Sequence, residues 1–349
     1  MYNVFTDFHH SSLLNSLIML FEGRLGGSVY RPIGMDWHTE GYWKIYDHPA
    51  TAQQFLGING ATPDGTQPLN NVITNDHGFY LCKDIENGSY NQAITFQRFM
   101  NMPIDIVIAS IPQHIEPFKK LCEVHPSKPK FIYQVGNNWQ IEARSVSNVM
   151  ASANIDLPPN IHGIKYHQEF DLNIFSPSLQ YERAKVIRSF VNCFNVDDLF
   201  KSDWQLFVNT EQVMPEFTFQ ALGGQCRDGA AHGSNELAGM MHNSLFVWHT
   251  KTGGDGYGHI VHNAAACGTP LIVRKENYIG KLAEPLMIDG ETCITIDGLN
   301  IEQIKNKIEH YSQRDEWFRL SNGIYNTFKK NVNFDAEQVA IEQFLKSLL

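Results

Sequence analysis

One stretch of the chain constrains the fold more than any other, because it joins two short apolar runs through a glycine cluster and a run of small residues. Residues 244–274 read SLFVWHTKTGGDGYGHIVHNAAACGTPLIVR, with four glycines inside six positions. Glycine lets the backbone adopt positive φ and approach a ligand closely, and the free N–H groups at a helix start suit phosphate. The stretch predicts strands at 244–249 and 269–274, a helix at 259–267 and a phosphate-binding turn. A glycine-rich turn without a ligand is the alternative.

The same alternation of strand and helix runs through most of the sequence. The opening predicts a β-α-β unit, because a short apolar run is followed by leucines at helical spacing and then by SVYRPI. Further strands are predicted at 104–111, 130–136, 185–192 and 204–209, and helices over 299–349. Residues 36–103 show no regular pattern. The sequence therefore indicates an α/β protein with two similar halves and a cleft between them, where ligands prefer to bind.

Length, charge and cysteine content narrow the class of protein. A chain of 349 residues exceeds what one core usually serves and predicts two domains. The formal net charge of -10 disfavours a polyanionic partner such as DNA. The sequence starts without a basic leader and has no apolar run of about 20 residues, so we expect a soluble, cytoplasmic protein without a transmembrane segment. The six cysteines include no C-x-x-C pair, which favours free thiols over a zinc site or disulfides.

Part of the glycine-rich stretch, DGYGHIVHNAAACGTP at 255–270, resembles the donor-site signature of nucleotide-sugar-dependent glycosyltransferases with the GT-B fold. That signature runs E-G-F-G, four variable residues and then E-A-M-A-C-G-T-P, and the match has no gap. Asp255 takes the place of the first acid and Asn263 that of the second. The G-F-G positions are held by Gly256, Tyr257 and Gly258. The resemblance implies that Asp255 and its loop contact the donor sugar, and that the Asn263 amide bonds the ribose hydroxyls.

A second phrase, YHQEFDLNIFSP at 166–177, resembles the linker between the two domains of the same family, N-G-V-D-x-x-x-F-x-P. The resemblance implies two Rossmann-like α/β domains that face each other across a cleft, with the C-terminal helix returning to the first domain. We therefore expect an acceptor domain at 1–177, a nucleotide-sugar donor domain at 178–335 and a returning helix at 336–349.

The family's R-x-x-x-x-K pair, which binds the donor phosphates, is missing, so other cations must bind them. Lys251 precedes the glycines, Arg227 lies in the GGQCRDGAAHG loop and Arg188 ends a predicted strand. These positions fall at the carboxyl edge of an α/β sheet, where ligands bind, although solvated surface charge is the alternative. The remaining predicted donor contacts are Gly253, Gly254, His249 and His259. Either histidine can equally be structural.

Two histidines follow the first predicted strand, in DFHHSSLLNSL at 7–17. In the implied fold the turn after that strand faces the donor, so we predict that His9 or His10 contacts the acceptor or the sugar and acts in catalysis with Asp255. Ser11 or Ser12 can cap the following helix. A capped helix start with a half-buried imidazole is therefore the alternative.

The implied reaction moves a sugar from a nucleotide-diphosphate sugar to an acceptor hydroxyl. No D-x-D motif and no cluster with metal-ligand spacing occurs, so we expect the reaction to need neither metal nor cofactor. Helix N-termini and basic side chains would then stabilise the departing nucleoside diphosphate. The signature favours retention of anomeric configuration.

Several alternatives stay open at this point. The sugar, the oligomeric state and the acceptor are undetermined, and the acceptor classes are a glycan, a lipid-linked sugar, a small molecule or a modified nucleic acid. Loss of the second acid also allows a non-catalytic nucleotide-sugar-binding protein. A sugar isomerase would need a carboxylate pair and a phosphorylase a cofactor lysine, and neither is identifiable in the sequence.

Overall fold

The chain folds into two compact units, each built on one sheet. A computed structural model describes residues 1–7, 11–34, 36–42, 72–74, 80–83, 90–136, 143–153, 157, 159–178 and 185–349. The first unit comprises Met1–Glu169 and Phe334–Leu349, and the second comprises Phe170–Asn333. The changeover after Glu169 lies earlier than residue 177, where the linker phrase predicted it.

The first unit has an α/β arrangement. Its elements are β1 (Asn3–Thr6), α1 (Ser11–Ile18), β2 (Ser28–Pro32), α2 (Asp36–Thr39), β3 (Val72–Thr74), β4 (Tyr80–Lys83), β5 (Tyr90–Ile94), α3 (Phe96–Met100), β6 (Ile106–Ala109), α4 (Ile115–Val124), β7 (Lys130–Val135), β8 (Asn148–Ala151) and β9 (His162–Lys165). The strands lie in the order β3-β4-β5-β2-β1-β6-β7-β8-β9. They pair in parallel except for β3 with β4 and β4 with β5. Five of these elements, α2 to α3, lie in the region where the sequence showed no regular pattern.

The opening β-α-β unit is confirmed. β1 pairs in parallel with β2 through Val4 and Val29, and α1 continues as a π-helical segment, Met19–Arg24. The chain leaves this helix at Gly26, whose φ of +64° favours glycine. The predicted strands near 104–111 and 130–136 are also present, as β6 and β7. Both are buried almost throughout, as their apolar runs indicated.

The second unit contains a wholly parallel sheet. Its elements are β10 (Val186–Ser189), α5 (Lys201–Val213), β11 (Thr218–Ala221), α6 (Ser234–His242), β12 (Phe246–His249), α7 (His259–Ala266), β13 (Leu271–Val273), β14 (Cys293–Thr295), α8 (Ile301–Tyr311) and α9 (Arg314–Asn331). The strands lie in the order β11-β10-β12-β13-β14. The chain then returns to the first unit as α10 (Phe334–Leu348), whose buried Ile341, Phe344 and Leu345 pack with Val4 and Ile106.

One predicted strand is wrong. Residues 204–209, WQLFVN, lie inside helix α5. The buried residues of that helix are Asp203, Phe207 and Thr210, spaced by four and three as on one helical face. Phe207 packs edge-to-face against Phe219 and Trp248 of the sheet. The prediction missed β11, which follows the helix, and it also missed β8, β9 and β14.

Each sheet contains a point, at its first strand in the chain, where the direction of winding reverses. In the first sheet β1 lies between β2 and β6, and in the second β10 lies between β11 and β12. The chain leaves β1 and its neighbour β6, and likewise β10 and its neighbour β12, towards opposite faces of the sheet. A crevice therefore opens at the carboxyl ends of each pair. In the second unit this crevice lies where β10 and β12 end. The loop that follows β12 is the glycine-rich stretch.

Candidate functional site

The glycine loop, residues 250–258, connects the carboxyl end of β12 to the start of α7. Gly253, Gly254 and Gly258 have φ values of +75°, +65° and +81°, in the left-handed region that other residues rarely adopt. Gly258 is also the residue that caps α7 at its N-terminus. Gly256 is buried between them. The loop therefore favours glycine at Gly253, Gly254 and Gly258, of which Gly258 belongs to the signature, and it exposes Gly253 at the carboxyl edge of the sheet.

Asp255 is the centre of a charged cluster in this loop. Its carboxylate lies 2.6 Å from His249 Nε2 and 2.7 Å from Lys251 Nζ, and Tyr278 donates its hydroxyl to it over 3.4 Å. The Asp255 side chain is 16% exposed. Burial raises the pKa of this carboxyl, but His249 and Lys251 outweigh burial and hold the pKa well below its usual range. Burial and the neighbouring Asp255 raise the pKa of Tyr278 well above its usual value.

Contacts from outside the loop hold it in place. Buried Asp203 at the start of α5 accepts a hydrogen bond from Thr252 Oγ1 at 2.5 Å and another from Arg274 Nε at 3.1 Å. The turn after β13 adds two donors: Asn277 Nδ2 to the Lys251 carbonyl at 3.2 Å, and Lys281 Nζ to the Gly253 carbonyl at 3.0 Å. The loop is thus pre-organised by side chains from two other connections at the same edge.

The start of α7 presents aromatic and amide groups. Tyr257 stacks face to face on His262, with ring centroids 4.2 Å apart, and meets His259 edge-on at 4.9 Å. Asn263 is 6% exposed, and its Oδ1 is a buried acceptor without a hydrogen-bond donor among the described residues. The same holds for Nδ1 of His249. A buried polar atom without a partner is costly, so each of these two atoms would gain from a ligand hydroxyl or a water molecule.

Two of the predicted phosphate ligands serve other contacts. Arg188 bonds Gln220 Oε1 at 2.7 Å and the carbonyls of Met240 and Asn243 at 3.0 and 2.9 Å. Those carbonyls lie at the end of α6, just before β12 begins, so the guanidinium reaches the amino edge of the sheet, opposite the glycine loop. The prediction for Arg188 is therefore corrected: it joins a helix end to the sheet.

Arg227 is engaged in a similar way. Its guanidinium pairs with Glu211 at 2.7 Å and Asp228 at 2.9 Å, and it lies 5.4 Å from the centre of the Trp204 ring. It also donates to the Phe219 carbonyl at 2.8 Å. With two carboxylates already bound, Arg227 holds its own loop against α5, which corrects its predicted role as a phosphate ligand.

Predicted catalytic residues His9 and His10 lie outside the described residues. Asp7, the last described residue before them, is buried at the carboxyl end of β1 and accepts three hydrogen bonds. They come from Ser110 N at 2.8 Å, from Ser110 Oγ, and from His114 Nδ1 at 2.9 Å. Ser110 follows β6, so this cluster lies at the point where the winding of the first sheet reverses.

Sequence reasoning missed four side chains that the structure brings to the glycine loop. They are Asp203, Asn277, Tyr278 and Lys281. A partial signal existed for the last three, because residues 274–281 follow a predicted strand that ends at the same sheet edge. For Asp203 there was none, since the residues that follow it resembled a strand.

Within the ranges that the structure describes, no group of three or more His, Cys, Asp or Glu side chains is placed to bind a metal ion. No helix there combines the length and apolar character of a membrane span.

Comparison with known proteins supplies the fold class. No sequence family matches the chain, and a search of curated proteins gives no match. Solved structures do match over the full length. The Anabaena protein Alr3699/HepE, in complex with UDP, has a TM-score of 0.63 at 11% identity and covers 100% of both chains. Sucrose-phosphate synthase from Thermosynechococcus elongatus has a TM-score of 0.63 at 10% identity, covering 100% of this chain and 99% of its own.

A third match is an alpha-glucosyltransferase in complex with UDP-glucose and DNA containing an abasic site. It has a TM-score of 0.59 at 10% identity and covers 98% of each chain. These matches, together with the two α/β sheets and the returning C-terminal helix, show that the chain has the GT-B fold. At such low identity the likeness defines the fold alone.

Proposed function

We propose that this protein is a glycosyltransferase that moves a sugar from a nucleotide-diphosphate sugar to an acceptor hydroxyl. The observation that carries the proposal is the glycine loop at the carboxyl edge of the second sheet, where Asp255 lies between His249 and Lys251. Two further points support it. Residues 255–270 align with the donor signature without a gap, with Asn263 in place of the second acid, and similar structures are described with UDP, UDP-glucose, or UDP and glucose bound.

Each described donor-site residue has a role in this proposal. Asp255 bonds hydroxyls of the donor sugar, and the backbone of Gly253, Gly254 and Gly256 allows the donor to approach. Lys251 pairs with the diphosphate. Asn263 Oδ1, which has no donor among the described residues, accepts a hydrogen bond from a ribose hydroxyl. His249, Tyr257, Gly258 and His259 line the start of α7, where free N–H groups and the helix dipole favour the phosphates.

The proposed reaction needs positioning and charge stabilisation. The bond between the anomeric carbon and the β-phosphate oxygen breaks, a bond to the acceptor oxygen forms, and the acceptor loses its proton. Lysine and backbone N–H groups stabilise the charge that develops on the leaving diphosphate. We propose retention of configuration, no requirement for metal or cofactor, and a catalytic contribution from His9 or His10 as acid, base or charge stabiliser.

The acceptor is proposed to be a glycan, a lipid-linked sugar or a small molecule in the cytoplasm. A modified DNA base is the second candidate, because one similar structure is described with DNA containing an abasic site. The net charge of -10 argues against a nucleic acid. A gel-shift measurement at low salt distinguishes the two, since a protein that acts on a base in duplex DNA must bind the duplex, whereas an acidic chain with another acceptor is expected to leave it unshifted.

The test of the proposal is turnover of a nucleotide-sugar panel. We expect slow release of nucleoside diphosphate without acceptor, detected by mass spectrometry, with one sugar nucleotide preferred. Asp255→Asn is the variant expected to lose this release while still binding the nucleoside diphosphate. Binding of nucleotide sugars with no turnover under any condition would instead identify a binding protein, and no binding at all would overturn the proposal.

A further inference from the structure

Two lysines reach the glycine loop from different connections. Lys251 belongs to the loop itself, and Lys281 comes from the turn that follows β13. Lys281 Nζ lies 3.0 Å from the Gly253 carbonyl oxygen. It is also so close to Gly254 that a Cβ added there would lie 2.8 Å from this nitrogen. The Lys281 ammonium therefore lies against the two consecutive glycines with positive φ, and the Lys251 ammonium is held by the next residue, Asp255, at 2.7 Å.

The charges around these glycines do not balance. Asp255 is the carboxylate of the cluster, and it already pairs with His249 and Lys251. Lys281 makes no ion pair within the ranges that the structure describes; its contacts there are the Gly253 carbonyl and the face of the Tyr278 ring, 5.5 Å from the ring centre. Two lysines and one carboxylate leave an excess of positive charge beside exposed backbone.

The pKa of Lys281 reflects its burial and this excess of positive charge. Burial lowers the pKa of its ammonium group, Asp255 opposes that effect, and the like charge of Lys251 lowers the pKa further. An anion placed between the two lysines would relieve their repulsion. It would also replace a neutral carbonyl partner of Lys281 with a charged one, and charge-assisted hydrogen bonds are stronger than neutral ones.

Three arginines of this unit are already engaged elsewhere. Arg188 and Arg227 are bound to helix-end carbonyls and to carboxylates, and Arg274 donates to Asp203. We therefore propose that Lys251 and Lys281 form a two-lysine clamp for the diphosphate group, across Gly253 and Gly254. This inference rests on the proposed function. The sequence lacks the R-x-x-x-x-K pair that binds the donor phosphates in the family it resembles. The inference assigns part of that contact to Lys281.

The clamp is tested by calorimetry with inorganic pyrophosphate and with UDP as probes. Lys281→Gln is expected to weaken binding of both probes by about tenfold or more, because it removes one charged contact. Lys275→Gln is the matched control, because Lys275 is exposed on the same turn and its substitution removes the same charge. The affinity of Lys275→Gln for pyrophosphate and UDP should stay within about twofold of that of the wild-type protein, as expected for a remote, screened charge.

Two further measurements separate a phosphate contact from a general disturbance of the site. The nucleoside uridine, which lacks phosphate, should bind wild-type and Lys281→Gln proteins equally. Lys281→Arg keeps the charge and should retain affinity for UDP within about threefold. This second variant also keeps the test valid if Lys281→Gln folds poorly.

The clamp is overturned if Lys281→Gln binds pyrophosphate as tightly as the wild-type protein, or if Lys275→Gln loses as much affinity. Failure of the clamp alone leaves the wild-type protein able to bind UDP and turn over a nucleotide sugar. Failure of the proposed function is distinct, because the wild-type protein would then bind no nucleoside diphosphate, and both proposals would fall.

Discussion

At the scale of single residues, the charged cluster of the glycine loop is centred on one carboxylate, Asp255. Lys251, His249 and Tyr278 all bond the Asp255 carboxylate, so three side chains from the glycine loop, β12 and the turn after β13 meet at this group. A mostly buried charge is tolerated when partners and hydrogen bonds satisfy it, and removing one partner leaves the others uncompensated. Asp255 therefore contributes to loop geometry as well as to the proposed sugar contact.

The ionisation of Asp255 makes this contribution dependent on pH. Its pKa is lower in the folded protein than in the unfolded chain, so its stabilisation is present above the unfolded value of about 3.9 and is lost as pH falls towards the folded value. Asp255→Asn should lower the free energy of unfolding at pH 7 by about 1–3 kcal/mol. Urea titrations of both proteins at pH 7 and pH 3 measure this, and the difference should shrink at pH 3. An equal difference at the two pH values would contradict the linkage.

Neighbouring glycines of the loop offer a matched comparison. Gly253 and Gly254 both have positive φ, but a Cβ at Gly253 would meet nothing within 4 Å, whereas one at Gly254 would lie 2.5 Å from the Asn277 carbonyl oxygen. Gly253→Ala should cost about 1 kcal/mol of backbone strain. Gly254→Ala should cost more and should weaken UDP binding at least tenfold, because the loop must move. Thermal unfolding and calorimetry measure both effects, and equal behaviour of the two variants would exclude the predicted clash.

At the scale of helices and strands, long-range partners decide the role of each cation. Arg188 lies in β10, yet its guanidinium bonds the carbonyls at the end of α6, where unpaired backbone oxygens and the negative end of the helix dipole attract a cation. Helix α5 shows the same dependence, because its buried Phe207 packs against Phe219 and Trp248 of the sheet.

Replacing Arg188 tests its structural role. Arg188→Gln should lower the free energy of unfolding by about 1–3 kcal/mol, because the acceptors at the end of α6 lose their donor. Affinity for UDP should not change, since the glycine loop lies at the opposite edge of the sheet. Lys201→Gln, at an exposed position in the same unit, is the charge control. A large loss of UDP affinity with unchanged stability would restore Arg188 as a phosphate ligand.

At the scale of the whole molecule, the chain crosses from the first unit to the second and returns once. The return places α10 in the first unit, where Arg24 bonds both Glu169 and Asp335 at 2.6–2.8 Å, and where Glu337 receives the backbone and imidazole N–H groups of His167 at 2.7 Å each. These contacts lie beside the two points where the chain changes unit. Helix α10 therefore contributes Ile341, Phe344 and Leu345 to the core of the first unit.

Because α10 belongs to the first unit, its effect on stability should be local. Leu345 is fully buried, and Leu345→Ala should cost about 2–5 kcal/mol. Amide hydrogen exchange should become faster in β1 and β6 while β10 keeps its protection. Val339→Ala, at an exposed position on the same helix, should change neither. Faster exchange in β10 as well would show that the two units unfold together.

Local patterns in the sequence determined much of the fold. Short apolar runs indicated β1, β6, β7, β10, β12 and β13, because a strand buried on both faces needs apolar side chains throughout. The glycine spacing indicated the loop at 250–258, because positive φ is a local property of the backbone. These features depend on neighbours within a few positions.

Tertiary structure alone decided which charged side chains meet. Whether WQLFVN is a helix or a strand depends on what covers Phe207, and the phosphate-binding capacity of Arg188, Arg227 and Lys281 depends on partners 16 to 55 positions away. Sheet order brings the ends of β12 and β13 side by side, and so it brings Lys281 to Gly253. The sequence shows that Arg188 and Lys281 are charged but not what they bind, because the order of the strands, and not their neighbours in sequence, chooses their partners.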